Sequence, residues 1–156
     1  MITLSAAFEA PILLVHLAAT FYMVGLIWFV QHVHYPLFGA VGVDDFSAYS
    51  QSHVARTGPI VGPAMIVEGA TAALLLVSTP SAIPGWLVGV GAGLLIVIWL
   101  STGLLQVPRH RDLIAGFDAT AHRRLVTTNW IRTLAWSLRG GLALYMVALA
   151  MERSAG

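Results

Sequence analysis

GPIVGPAMIVEGATAALLLV, residues 58–77, is the stretch that decides the fold. At about 1.5 Å of rise per residue its length crosses a hydrocarbon core of about 30 Å, and Glu68 is its sole ionisable residue. Comparable apolar runs lie near Pro11 to Tyr35, Ile83 to Gln106 and Leu125 to Met151. The chain has 156 residues, 58% of them hydrophobic and only 10% charged, with a mean hydropathy of +0.81. That is too apolar for an ordinary soluble domain. The sequence therefore predicts an all-α, integral membrane four-helix bundle. It forms a single transmembrane domain over residues 1–156, with spans at about 11–35, 58–77, 83–106 and 125–151.

No positively charged segment precedes the first run, only Glu9, so that run reads as a retained helix and the mature chain is expected to begin near Met1. Cysteine is absent, which removes disulfides, thiolate metal sites and CxxC redox chemistry. All eight basic residues are arginines. Arg109, Arg111, Arg123 and Arg124 flank the third loop and Arg56 belongs to the first, whereas the second loop, 78–84, has no charge. The positive-inside tendency then places the first and third loops in the cytoplasm and both termini outside it, the expected membrane being a bacterial inner membrane. With a net charge of +1 and its arginines bracketed by spans, the chain has no nucleic-acid signature.

Pro36 predicts an end to the first span at His34-Tyr35. Beyond Gly42, Phe46, Tyr49, His53 and Arg56 recur at steps of three and four, which predicts a short interfacial helix in the first loop, capped by Asp44 or Asp45. Gly58-Pro59 and Gly62-Pro63 predict a kinked entry to the second span. Gly85, Gly89, Gly91 and Gly93 give the third span a smooth face for close packing. The series Gln31, Pro36, Phe46, His53, Arg56 runs parallel to Gln106, Pro108, Phe117, His122, Arg123, as two repeats related by an axis along the membrane normal would.

An uncompensated charge in hydrocarbon costs at least a few kcal/mol, so Glu68 and Arg132 need partners, a wet cavity or a ligand. Counted from the cytoplasmic ends of their spans, both lie roughly 15 to 17 Å deep, which predicts a Glu68–Arg132 ion pair, with the Tyr22 hydroxyl at a similar level. Asn129, Arg132, Trp136 and Arg139 share one face of the fourth span, and that face must point inward. Glu68, Arg132, His53 and Asn129 are the candidate catalytic groups. For Arg139, snorkelling to outer headgroups is the competing reading.

His32, His34, His53, His110 and His122 map to one end of the spans. His34, His53 and His122 are candidate ligands for Zn, Cu or Fe, with Glu68 or Asp118 able to complete the set, although the spacing fits no established motif and His32 and His34 point apart. His16, level with Arg139, is a candidate axial ligand to haem or a chlorin, with the arginine meeting a propionate. No second axial histidine lies at that depth.

The layout, with Asn129-Trp130-Ile131-Arg132 opening the last helix, resembles the anthrone-oxygenase-like four-helix membrane proteins. The resemblance implies an oxidoreductase-type pocket near Asn129 and Arg132, oxygenation of a polycyclic phenol without an obvious cofactor, and His34, His53 and Glu68 as polar partners by position. The His34-Tyr35-Pro36 segment and the abundance of histidine depart from that pattern. Three roles follow. The first is a membrane oxidoreductase or oxygenase acting on a hydrophobic small molecule from the cytoplasmic leaflet. The second is a non-catalytic subunit of a larger membrane complex, and the third is ion or small-solute transport by a homo-oligomer. The sequence leaves open whether the chain is an enzyme.

Overall fold

The structure is a computed structural model that describes residues 6–155, with side chains described from Phe8 to Arg153. The first rod is α1 (Ala6–Phe29), a π turn (Val30–His34), α2 (Tyr35–Leu37) and a 3-10 turn (Phe38–Ala40). The second rod is α3 (Val43–Val77). The third is α4 (Gly85–Ser101), a second π turn (Thr102–Gln106) and α5 (Val107–Ile114), and the fourth is α6 (Ala119–Ala155). No strand occurs among the described residues, and four helices are long and apolar enough to cross a membrane. The chain is thus an integral membrane four-helix bundle, its exterior covered by side chains such as Leu14, Ile66, Ile96, Leu104 and Leu138.

Both α3 and α6 pack against α1 and α4, which puts α3 and α6 at opposite corners of the bundle. At the arginine-rich end Ile27, Phe38, Phe46, Ile98, Leu125 and Trp136 form one core cluster, and at the other end Leu13, Leu75, Leu87 and Met146 belong to a second. Polar side chains of His16, Thr20, Glu68, Thr71 and Arg139 are buried as well.

Three local expectations are corrected. The segment expected as a separate interfacial helix is the start of α3, which runs unbroken through Pro59 and Pro63. Each proline follows a glycine, so the ring has no Cβ to strike at the preceding residue, and that removes part of the usual bias against helix. The first rod does not stop at Pro36 either. Widening the turn before the proline relieves its ring of the α-helical carbonyl clash: Tyr35 N–H donates to the Val30 carbonyl, five residues back. The third rod repeats the device, with Val107 N–H donating to the Thr102 carbonyl just before Pro108. Of the parallel series in the sequence, Pro36 and Pro108 thus share a setting, each two residues beyond a π turn, whereas Gln31 and Gln106 do not, being the second and the last residue of their turns. Finally, of the four α4 glycines only Gly91 packs inside the chain, against Met146 and Arg139, while Cβ atoms at Gly85, Gly89 and Gly93 would meet nothing. The close helix approach is instead at Gly140 on α6, where a Cβ would lie 3.2 Å from Val24 Cγ2 of α1.

Gly116, with φ of 147°, breaks the chain out of α5, and Asp118 starts α6 by accepting the Ala121 N–H on Oδ1 at 2.5 Å.

Candidate functional site

Glu68 is fully buried, but its partner is Arg139 rather than Arg132. Arg139 Nε donates to Glu68 Oε1 at 2.9 Å, Thr20 Oγ1 donates to the same oxygen at 3.0 Å, and Trp136 Nε1 donates to Oε2 at 3.0 Å. Arg139 Nη1 also donates to the Gly91 carbonyl, so this one cluster ties together α1, α3, α4 and α6. Arg139 is 2% exposed and does not snorkel. The expected pairing takes Thr57 as the cytoplasmic end of the span, whereas α3 begins at Val43, so that Glu68 lies 25 residues from the helix start and meets the farther arginine. Tyr22 faces outward at 50% exposure, and the inward hydroxyl at this level is that of Thr20, two residues away.

His16 is buried and its Nδ1 lies 2.8 Å from Thr71 Oγ1. The space it shares with Arg139 is about 10 Å³, on the order of one water. A haem or chlorin has no room between them in this arrangement.

Arg132 occupies a different environment. Its Nη1 donates to Asn129 Oδ1 at 3.2 Å, and its guanidinium carbon lies 5.2 Å from the Trp136 ring centroid. Asn129 is held in turn by donating to Gln31 Oε1 at 3.0 Å, and Gln31 donates to the Val126 carbonyl at 3.2 Å. Arg132 is 6% exposed, its Nε has no hydrogen-bond partner, and among the described residues no carboxylate pairs with it. It faces a cavity of about 480 Å³.

That cavity lies between α3 and the π turn with α5, beside Arg132 of α6. Val54, Val61, Val107 and Ile114 make it largely apolar, and the polar groups converging on it include Arg132, Tyr35, His53, His110 and Gln106. The second π turn helps to shape this wall, since Thr102 and Gln106 both line it. The Tyr35 hydroxyl is 3.0 Å from His110 Nε2, and the His53 and His110 ring centroids are 5.1 Å apart. Sequence reasoning singled out Arg132 and His53 but missed Tyr35, His110 and Gln106 as cavity residues. The available signal was the spacing of four between Gln106 and His110.

Behind His53 lies a second hollow of about 290 Å³, lined by His34, Tyr49, Ser52, Arg56 and Thr57. His34 Nε2 is 2.8 Å from His53 Nδ1. His122 does not join them: its Nε2 is 2.8 Å from the Tyr35 carbonyl, and its ring lies against Gly39 and Phe38. Asp118 is engaged as a helix cap and Glu68 in the buried cluster, so neither carboxylate completes a ligand set. Among the described residues no group of three or more histidine, aspartate or glutamate side chains is placed to hold a metal ion. His32 turns away from His34, as expected, and stacks on Trp28 at 5.3 Å.

No family model, curated protein or solved structure matches this chain. The fold defines a class, the integral membrane four-helix bundle, and a bundle of this kind hosts many functions. Function has to be read from the cavity.

Proposed function

We propose that the protein binds a small apolar ring molecule bearing an acidic hydroxyl and converts it to its oxyanion, as the opening step of an oxidoreductase or oxygenase reaction. One observation carries the reading: Arg132 is a buried guanidinium with no carboxylate partner, aimed at a largely apolar cavity. A cation in that position is best satisfied by an anionic ligand group, and a cavity of about 480 Å³ falls in the size range of small-molecule sites. Asn129 and Trp136 fix the guanidinium. His53 and His110 are the bases, each able to take the hydroxyl proton onto a ring nitrogen while the oxygen turns to Arg132. The electron-rich anion would then be open to oxidation by dioxygen. Glu68 is assigned a structural part, because its hydrogen bonds are made to the buried cluster.

The charge asymmetry of the arginine-rich loops supports a cavity at the cytoplasmic side, in what we take to be a bacterial inner membrane. The test is titration of purified protein with 1-naphthol, followed by the absorbance of the naphtholate and by oxygen uptake. Wild type should stabilise the naphtholate at pH values where free naphthol is neutral. Arg132→Leu should abolish this and Arg132→Lys retain part of it. A folded wild-type protein that takes up no naphthol overturns the reading.

A further inference from the structure

The two hollows at the arginine-rich end share a side chain. His53 lines both the inner cavity and the outer hollow, and Thr57 beside it does the same. His34 lines only the outer one. The geometry points to a proton relay in which His53 carries the proton taken from the bound hydroxyl through the cavity wall and His34 delivers it to water in the outer hollow. This rests on the proposed reading of the inner cavity.

The orientation of the His53 ring is what supports a relay rather than a simple base. Its Nδ1 is the nitrogen engaged with His34, at 2.8 Å, and with Thr57 Oγ1, at 3.1 Å. In an imidazole the two nitrogens flank Cε1 and their hydrogen-bonding directions diverge widely, so with Nδ1 taken by His34 and Thr57 it is Nε2 that is left for the inner cavity, which this residue also lines. The step balances without an oxidant. The ligand O–H bond breaks as its proton joins His53 Nε2, the Nδ1 proton passes to His34 Nε2, and His34 releases its Nδ1 proton to water. The ligand remains as the oxyanion facing Arg132, and both rings end neutral in the opposite tautomer. A reset requires only that the rings exchange protons with water.

The groups around His53 fit this traffic. His34, Tyr35 and His110 contact its ring from the other elements, and Arg56 lies in the outer hollow. No carboxylate makes an ion pair with any of these histidines among the described residues, so nothing fixes a proton permanently on the chain. Tyr35 is held to His110 and does not bridge to His34. From His53 Nδ1 the shorter contact leads to His34, at 2.8 Å, and the Thr57 hydroxyl, at 3.1 Å, is its other hydrogen-bond partner.

The experiment is a stopped-flow pH jump from acid to neutral with 1-naphthol prebound, reading the rate at which naphtholate appears, alongside its equilibrium affinity. His34→Ala and His34→Gln should leave affinity within about twofold and slow naphtholate formation by roughly tenfold or more, since glutamine keeps a hydrogen bond to His53 but carries no basic nitrogen. Added imidazole should restore the rate in His34→Ala. Pyrrole, the same size without a basic nitrogen, should not. Wild-type rates in both variants, or equal rescue by pyrrole, overturn the relay; the cavity reading then still stands if Arg132→Leu abolishes binding. Failure of wild-type protein to bind naphthol overturns both.

Discussion

Replacing Glu68 with leucine should be among the most damaging single changes in this protein. The carboxylate accepts from the Arg139 guanidinium, the Thr20 hydroxyl and the Trp136 indole, all inside the bundle and away from water. Leucine fills the space but strands a buried cation, which by itself costs about 3–5 kcal/mol, and leaves two neutral donors unpaired at about 1–3 kcal/mol each before relaxation. Relaxation is limited because Arg139 is already tied to Gly91 and is 2% exposed. A net loss of at least about 5 kcal/mol is expected, as much as the whole stability of a marginal domain. Arg139→Leu alone should cost about 3–5 kcal/mol. The double variant should lose less than the sum, with a coupling of about 2–3 kcal/mol. Pairing Glu68→Leu with Arg132→Leu gives the control, where coupling should stay below about 1 kcal/mol, transmitted only through Trp136, which both groups touch. The assay is reversible unfolding in mixed micelles by graded addition of sodium dodecyl sulfate, followed by helical circular dichroism. Coupling larger with Arg132 than with Arg139, or a Glu68→Leu protein as stable as wild type, would refute the assignment.

Gly140→Val should destabilise the bundle by about 1–3 kcal/mol because its side chain meets Val24, whereas Gly89→Ala should be neutral in the same unfolding assay. Gln31→Leu removes the acceptor that orients Asn129; naphthol affinity should drop several-fold as Arg132 loses its positioning, with helicity unchanged. Asp118→Ala should cost about 1 kcal/mol through the lost α6 cap, measured by the same micelle titration.

The four spans and the inward face of α6 were legible in the sequence because hydropathy and a period of 3.6 report them directly. Asn129, Arg132, Trp136 and Arg139 are all buried in the structure. Arg132 and His53 were recognisable as cavity residues for the same reason. The ion-pair partner of Glu68 was not, since composition alone could not show that glycine ahead of Pro59 and Pro63 lets α3 continue back to Val43. Tyr35, His110 and Gln106 were noted only for their place at the span ends and not as lining a cavity, because each lies in or just beyond a π turn, where the facing of side chains departs from a single α-helical wheel. The convergence of histidines was real at the level of the bundle end. Which ones touch depends on those turns.

A five-residue repeat closes each π turn, one residue more than an α-helix uses, and one residue on a helix corresponds to about 100° of rotation. Deleting a single residue from 30–33, or from 102–105, would let that turn close with ordinary α-helical bonds, so the far stub, with His34 or His110, would keep its facing toward α3 instead of swinging by this angle. The membrane-embedded stretch on the near side, with Thr20 or Gly91 in its original register, would stay where it is. Each wide turn thus takes up one residue of slack between the mouth of the bundle and its interior anchor, so that neither has to turn when the other is fixed.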